Sequence, residues 1–285
     1  LSIGLIQDIS QRLKEVAERE GTVYGFTLVT NGTLLTADAV SKLVPLGLKS
    51  ARVSLDGPRE NHDRYRPFAS GKGSFDAIVR NLREVCGMVK VGLSGNYTRD
   101  NYREFPRLLD QLSEQGVTPD RIAHVMFAPI SDTLGEHLMP EFSEGCCSME
   151  EPWLVEASLF LREEILLRGY YTPKVMPTTC MIEFRDNLVV NYDGTLYKCP
   201  AFIGCEGLDT GSLESGIREY RESHNMDVWK KDECLDCAYL PLCFGGCRFM
   251  RLLQSGAIDD VECRRTWFDA TLEELILQDL RYPRK

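Results

Sequence analysis

Residues 234–247 read CLDCAYLPLCFGGC, a run in which four cysteines are spaced as C-x2-C-x5-C-x3-C. Two thiolates separated by two residues can turn around one metal centre, which is why C-x2-C recurs in zinc and iron–sulfur sites. Gly245 and Gly246 stand between the last two cysteines, and residues without a side chain let the backbone approach a bound group closely. This stretch therefore predicts a metal or cluster site in the C-terminal part of the chain.

Further cysteines surround this run on both sides. Cys180 and Cys199 bracket Gly194 as C-x13-G-x4-C upstream, and Cys263 follows downstream. Eight of the 11 cysteines lie in this C-terminal region, namely Cys180, Cys199, Cys205, Cys234, Cys237, Cys243, Cys247 and Cys263. An ordinary α/β fold does not need so many thiols in one region.

Three kinds of site could explain such a concentration of cysteines. A disulfide framework is typical of small secreted domains, whereas this chain has 285 residues and an odd number of cysteines, which would leave a thiol unpaired. Structural zinc is a stronger alternative, but zinc ribbons usually present two C-x2-C knuckles, and the second pair here is C-x3-C. Iron–sulfur ligation accounts for seven or eight cysteines together, so we favour it and keep zinc as the alternative.

The first half of the chain alternates amphipathic helix patterns with apolar strand patterns. The strands are predicted at residues 23–29, 51–55, 88–95 and 121–128. Strands that alternate with helices in this way predict parallel βα units, whose ligands lie beyond the carboxyl ends of the strands. The polar residues that fall at those ends are Thr30, Asn31, Ser54, Asp56 and Asn96.

Changes in composition divide the chain into predicted parts. Residues 131–152 are rich in Gly, Pro, Ser and Glu and predict a linker, and a helix is predicted at 153–167. We expect a first domain with its linker at residues 1–150, a bridging helix at 151–171 and a second domain at 172–285. In the second domain Asp193-Gly194 predicts a hairpin turn, residues 206–232 are predicted to be mostly helical or irregular, and a final amphipathic helix follows the cysteines.

The composition excludes some classes of partner. The chain has 33 basic and 43 acidic side chains, a net charge of −10, and it shows no block of basic residues, so a nucleic acid is not expected as its principal partner. No apolar run is long enough to span a bilayer, which excludes an integral membrane protein, and no membrane partner is expected. The chain begins at Leu1 rather than at methionine, and we interpret it as a fragment of a longer protein.

The complete cysteine pattern resembles the SPASM domain of radical S-adenosylmethionine enzymes. The first half agrees, because TNGTLL at 30–35 and SLDGP at 54–58, with His62-Asp63 and Arg66 after them, resemble segments of the barrel of that superfamily. The resemblance covers nearly the whole chain. It implies an α/β fold in which a partial (β/α)6 barrel, truncated at its N-terminus, is followed by a small α+β SPASM domain that binds iron–sulfur clusters.

The resemblance also implies two auxiliary [4Fe–4S] clusters in the SPASM domain. By position, the ligands of the first cluster match Cys180, Cys199 and Cys247, and those of the second match Cys234, Cys237, Cys243 and Cys263. The fourth ligand of the first cluster stays open, because Pro177-Thr178-Thr179 stands where some members have a further cysteine. Its candidates are Cys205, Cys146, Cys147 and a substrate group. The implied S-adenosylmethionine surface consists of the strand-end residues Thr30, Asn31, Ser54, Asp56 and Asn96.

Three departures from the family pattern qualify what the resemblance implies. The chain has no C-x3-C-x2-C, which in the family holds the cluster that cleaves S-adenosylmethionine, and no Gly-Gly-Glu-Pro segment. Both would precede Leu1, so we expect an N-terminal truncation and a fragment that is inactive alone. Pro200 follows Cys199 where sulfatase-maturing members carry a catalytic aspartate, which argues against sulfatase maturation.

For the intact protein the resemblance implies radical chemistry on a peptide or protein substrate. A third [4Fe–4S] cluster would reduce S-adenosylmethionine, and the resulting 5′-deoxyadenosyl radical would abstract a hydrogen atom from the substrate. The auxiliary clusters would transfer electrons or bind substrate. An electron donor such as a flavodoxin or ferredoxin and a cytoplasmic location are also implied. Two other functions stay open: a non-catalytic iron–sulfur module for electron transfer or peptide binding, and a structural zinc domain on an α/β scaffold.

Overall fold

The computed structural model describes residues 2–130 and 151–283, which form two compact units. The first unit contains residues 2–130, 156–173 and 277–283, and the second contains residues 151–155 and 174–276. Cys146 and Cys147, two of the candidates for the fourth ligand of the first cluster, lie outside the described residues.

A parallel four-stranded sheet forms the centre of the first unit, with its strands in the order β1-β2-β3-β4. They are β1 (Phe26–Thr30), β2 (Leu48–Ser54), β3 (Lys90–Tyr97) and β4 (His124–Pro129). All four predicted strands are present, with their ends shifted by a few residues. The predicted α/β class with parallel βα units is therefore confirmed.

Helices separate the strands along the chain. They are α1 (Ile3–Arg19), α2 (Ala37–Leu43), α3 (Arg59–Tyr65), α4 (Phe75–Val85) and α5 (Phe105–Glu114). The helix α4 shows why they form, because its large apolar residues recur at helical spacing and are buried: Phe75, Ile78, Val79, Leu82 and Val85. These side chains join residues of β2 and β3 in a single hydrophobic core.

The turn after β1 depends on one glycine. Gly32 has a φ of +79°, and a Cβ at this position would lie 2.7 Å from Cγ1 of Val53. A residue with a side chain would be strained there and would also collide with the core. The sequence TNGT therefore makes a tight turn that holds Thr30 and Asn31 at the carboxyl edge of the sheet.

The second unit contains a small antiparallel sheet in the order β5-β6-β7-β8. Its strands are β5 (Val189–Val190), β6 (Thr195–Tyr197), β7 (Asp209–Ser212) and β8 (Gly216–Ile217). The predicted hairpin turn at Asp193-Gly194 joins β5 to β6 and is confirmed. The prediction for residues 206–232 is wrong where β7 and β8 form, because two- and four-residue strands rich in Gly, Asp and Ser carry no alternating apolar pattern.

The remaining helices are α6 (Pro152–Leu167), α7 (Asp232–Leu235), α8 (Leu240–Cys243), α9 (Arg248–Ser255) and α10 (Arg265–Arg281). In the first unit, Arg162 of α6 forms an ion pair of 2.6 Å with Asp279 at the end of α10. The second unit has its own hydrophobic cluster, formed by Ile182, Tyr197, Phe202, Leu252 and Ile258. None of the helices within residues 2–130 and 151–283 is both long enough and apolar enough to cross a membrane.

Candidate functional site

Three cysteines that are distant in sequence come together in the second unit, and we call Cys180, Cys199 and Cys247 the first thiol set. Each of them directly precedes a helical turn, at Met181–Glu183, Pro200–Phe202 and α9 respectively. Burial raises the pKa of the Cys199 thiol to about 11, and the charges of Cys180 and Cys247 add to that rise. Burial also raises the pKa of Cys247, with a further contribution from Cys180. The thiol of Cys180 is therefore close enough to affect both Cys199 and Cys247.

The second thiol set consists of Cys234, Cys237, Cys243 and Cys263. Cys234 lies in α7, Cys243 ends α8, and Cys263 is an exposed residue shortly before α10. Burial raises the pKa of Cys234, and the charges of Cys243, Cys263 and Cys237 raise it further. The charges of Cys237, Cys243 and Cys263 thus reach Cys234, and the family resemblance assigns these four cysteines to one cluster. Cys247 is close in sequence to Cys243, yet the thiol whose charge raises the pKa of Cys247 is that of Cys180.

The division of the cysteines into two thiol sets rests on the burial and the charges of the thiols, and not on an observed metal coordination geometry. Among residues 2–130 and 151–283, no three His, Cys, Asp or Glu side chains are arranged so that they could hold a metal ion. The ligand assignments of the two sets stay predictions.

Cys205 packs against the same hydrophobic cluster as Cys180 and Cys199. Its Sγ lies 3.8 Å from the carbonyl oxygen of Ala201, and burial raises the pKa of its thiol. It also lines a mostly apolar cavity of about 580 Å³, together with Phe249 and Leu252. The structure thus places Cys205 near the first thiol set, where its role as a fourth ligand stays a prediction.

The loop between Cys243 and Cys247 is packed so closely that a side chain does not fit at Gly246. Gly246 has a φ of +70°, and a Cβ there would collide with the carbonyl and the carboxylate of Glu262. Oε2 of this buried carboxylate accepts hydrogen bonds from the backbone N–H of Cys247 (3.0 Å) and from Nε of Arg264 (2.7 Å). Burial lowers the pKa of Arg264, but the Glu262 carboxylate and then the charges of Cys247 and Cys243 raise that pKa above its usual value. A positive side chain therefore lies close to both thiol sets.

Arg248, the residue after Cys247, has donors that lack acceptors. Its side chain is fully buried, and its Nη2 donates to Oε1 of Glu183 over 2.8 Å. Within the described part of the chain, Nε and Nη1 of Arg248 have no hydrogen-bond partner. Buried charged donors without an acceptor are costly, so their presence beside the first thiol set fits a bound anionic group. Iron–sulfur clusters carry sulfur atoms that accept such hydrogen bonds.

In the first unit, the predicted S-adenosylmethionine residues lie at the carboxyl ends of β1, β2 and β3. Oδ1 of Asp56 accepts a hydrogen bond of 2.8 Å from the backbone N–H of Asn96, which joins two of them. Oγ of Ser54 lies 3.3 Å from Oγ of Ser94. Thr30 and Asn31 accept hydrogen bonds within their own turn instead, from the backbone N–H groups of Gly32 and Thr33. The structure therefore links Asp56 to Asn96 and places the other three near their own strand ends.

Sequence reasoning missed the importance of His62 and Arg66 at this edge. Nε of Arg66 forms a close ion pair with Oδ2 of Asp56. His62 is fully buried, its Nδ1 accepts from the backbone N–H of Asp56 (3.1 Å), and its Nε2 lies 3.0 Å from Oγ of Ser74. The signal was present in the sequence, because the histidine and the arginine follow SLDGP at a short distance.

Comparison with known proteins identifies what the chain is similar to, although no family model matches it. It is 37% identical over 100 residues to the Fe-coproporphyrin III synthase of Methanosarcina barkeri, a match that covers 35% of this chain and 24% of that protein. It is 24% identical over 281 residues to a cysteine-type anaerobic sulfatase-maturating enzyme of Clostridium novyi, covering 88% of this chain and 72% of the relative. It is 22% identical over 291 residues to a PqqA peptide cyclase of Granulibacter bethesdensis, and this match covers 95% of this chain and 74% of the relative. The chain thus spans about a quarter of the first relative and about three quarters of the other two.

Solved structures show the same fold. A structure of anSMEcpe with bound AdoMet and a Kp18Cys peptide matches 96% of this chain and 79% of its own, with a TM-score of 0.68 and 17% identity. The Streptococcus suis protein SuiB bound to S-adenosylmethionine matches 89% of this chain and 61% of its own, with a TM-score of 0.54 and 15% identity. Two of these relatives are named for sulfatase maturation and peptide cyclisation, and both structures hold S-adenosylmethionine, so the resemblance to radical S-adenosylmethionine enzymes with a SPASM domain is confirmed.

Proposed function

We propose that this chain, a relative of radical S-adenosylmethionine maturases, holds two auxiliary [4Fe–4S] clusters and takes part in the modification of a peptide or protein. One cluster is bound by the first thiol set and the other by the second thiol set. The first unit supplies the surface for S-adenosylmethionine. In this proposal the barrel and its linker are formed by residues 1–150. The bridging helix is formed by residues 151–171, and the cluster-binding domain by residues 172–285.

One observation supports the proposal: charge effects link Cys199 and Cys247 to Cys180, and they link Cys234 to Cys237, Cys243 and Cys263. Cys247 is four residues after Cys243, yet its pKa responds to Cys180, which is far away along the chain. A single compact site would instead unite the four cysteines of the 234–247 run. Two interleaved sets are what two neighbouring clusters require, since one cysteine of a compact motif can ligate the other cluster.

Around the first thiol set, the chain provides an apolar and largely dry environment. Phe202 and Ile182 are buried in the hydrophobic cluster against which Cys180 and Cys199 pack. Bound there, an iron–sulfur cluster supplies one-electron transfer, or an iron that holds a substrate group where a fourth cysteine is lacking. The chain's own contribution is to fix the position of the thiols and to exclude water.

At the sheet edge, the chain's residues bind and orient the nucleoside. Ser54 and Asn96 have side chains at neighbouring strand ends that can contact it. Asp56 acts as a positioning residue, because its carboxylate is already engaged with Arg66 and with the backbone N–H of Asn96. Thr30 and Asn31 contribute the shape of the turn after β1.

A peptide or protein is the proposed substrate class. Relatives at 24% and 22% identity are named for sulfatase maturation and peptide cyclisation, and the titles of matching structures include a Kp18Cys peptide and the precursor peptide SuiA. Pro200 beside Cys199 disfavours sulfatase maturation for this chain. An electron donor of the flavodoxin or ferredoxin type would serve the clusters.

Metal analysis of the anaerobically reconstituted chain tests the proposal. We expect about eight irons per chain, the content of two [4Fe–4S] clusters, with little zinc. Cys180→Ala should remove only the first cluster and Cys234→Ala only the second, so each variant should keep about four irons. Stoichiometric zinc with little iron would contradict the proposal, and so would the loss of both clusters in each variant.

A further inference from the structure

The buried ion pair between Arg248 and Glu183 links two segments of the first thiol set. Arg248 follows Cys247 directly, and Glu183 donates its backbone N–H to the carbonyl oxygen of Cys180 over 3.0 Å. The side chains are 0% and 8% exposed, and Nη2 of the arginine lies 2.8 Å from Oε1 of the carboxylate. The pair is therefore a fixed positive and negative charge beside the proposed first cluster.

A purely structural arginine–carboxylate pair usually engages both carboxylate oxygens with the guanidinium fork. Here Oε2 of Glu183 accepts instead from the backbone N–H of Asp227, at 3.0 Å. Nε and Nη1 of Arg248 consequently find no acceptor within the described residues. Nη1 lies beside the Gly245-Gly246 loop, only 3.4 Å from where a Cβ of Gly245 would be. The donors are buried next to the loop that leads into Cys247.

Arg264, the other arginine near the thiols, differs from Arg248 in its exposure to water. Arg264 is 26% exposed, so water can reach its remaining donors, and its Nε already donates to Glu262. Arg248 has no exposure and two donor atoms without acceptors. Leaving a charged donor unsatisfied in the interior is costly, which favours an acceptor that the protein itself does not provide.

We propose that Arg248 donates hydrogen bonds from Nε and Nη1 to sulfur atoms of the cluster bound by the first thiol set, and thereby raises the reduction potential of that cluster. This inference rests on the proposed cluster binding. Reduction adds negative charge to a cluster, and hydrogen bonds and nearby positive charge stabilise the reduced form more than the oxidised form. Arg248 is thus a positioning and tuning residue, and Glu183 limits its effect by supplying an opposing charge.

A redox titration of the reconstituted full chain, followed by electron paramagnetic resonance, tests the inference. In the wild type we expect two midpoint potentials, and the one that disappears in Cys180→Ala belongs to the first cluster. Arg248→Met should lower that midpoint and leave the other unchanged, and Arg248→Lys should lower it less. Arg218→Met is the matched control, because Arg218 is 62% exposed and paired with Asp209. It should shift neither midpoint.

Glu183→Gln provides the opposite test and remains informative if Arg248→Met fails to hold iron. It removes the opposing charge and keeps the arginine, so the midpoint of the first cluster should rise. Unchanged midpoints at full iron content, or a shift of the second cluster alone, would overturn the role of Arg248 and leave cluster binding intact. A wild-type chain that binds no iron would overturn both proposals.

Discussion

The backbone N–H of Asp56 donates a hydrogen bond to Nδ1 of His62 over 3.1 Å, so Nδ1 of this buried imidazole carries no proton. Since Nδ1 is the acceptor, the proton resides on Nε2, which faces Oγ of Ser74 at 3.0 Å. The hydroxyl of Ser74 in turn donates to the carbonyl oxygen of Arg66 over 2.6 Å, and Arg66 pairs with the Asp56 carboxylate. These four residues form a closed network that holds the segment after β2 against the strand ends.

The network predicts a pH-dependent stability of the first unit. Burial lowers the pKa of His62 from 6.5 to about 4, with smaller effects of Asp56 and Asp63, which raise it, and of Arg66, which lowers it. Between these two pH values the unfolded chain binds a proton that the folded chain does not bind. The free energy of unfolding should therefore fall as the pH falls from 6.5 to 4, by roughly 3 kcal/mol in total, with no further loss from this residue at lower pH.

Urea titrations followed by circular dichroism between pH 4 and pH 7.5 measure this effect. His62→Gln cannot take up the proton, so the difference between wild type and variant should shrink as the pH falls. His124→Gln is the comparison: burial and the charge of Arg52 also lower the pKa of this half-buried histidine, but by less, so the substitution should remove a smaller part of the pH dependence. A parallel pH dependence in the wild type and His62→Gln would contradict the prediction.

A second prediction separates a proposed cluster ligand from a structural cysteine. Cys237→Ala should remove one cluster and lower the melting temperature of the reconstituted protein, because ligand binding contributes to the folding energy of a metal domain. Cys86→Ala removes a thiol that packs against the core of the first unit, so it should cost about 1 kcal/mol and leave the iron content unchanged. Equal iron content and equal melting temperature in the two variants would contradict both assignments.

A third prediction compares two glycines with nearly the same backbone conformation. Gly246 and Gly256 have φ values of +70° and +74°, but a Cβ meets Glu262 at the first position and nothing within 4 Å at the second. Gly256→Ala should therefore cost only the conformational strain, about 1 kcal/mol, and keep all of the iron. Gly246→Ala should also displace the Glu262 carboxylate from the Cys247 N–H and reduce the iron content. Iron analysis and thermal melting check this, and equal effects of the two substitutions would argue against a close-packed loop.

Elements that are marked by their own residues could be predicted from the sequence, whereas elements and contacts that depend on distant parts of the chain could not. The four strands of the first unit were predictable because apolar residues recur in stretches of five to eight residues that alternate with amphipathic helix patterns. Strands β7 and β8 were not, because they are held by pairing with β6 and with each other rather than by their own composition. The two thiol sets, by contrast, were predicted from the cysteine spacing together with the family resemblance. The pairing of Arg248 with Glu183 joins positions 65 residues apart and becomes visible only in the folded unit.

The last prediction concerns the cleavage of S-adenosylmethionine. Cleavage requires an iron with a free coordination position beside the bound nucleoside, and the family resemblance assigns that iron to a three-cysteine site. The described part of the first unit contains one cysteine, Cys86, and one thiol cannot supply the three ligands of such a site. We therefore expect the reconstituted 285-residue chain, incubated anaerobically with dithionite and S-adenosylmethionine, to form no more 5′-deoxyadenosine than a cluster-free sample. Chromatography of the reaction measures the product. Turnover above that control, lost again in Cys180→Ala, would show that the first auxiliary cluster itself performs the cleavage and that the proposed division of roles is wrong.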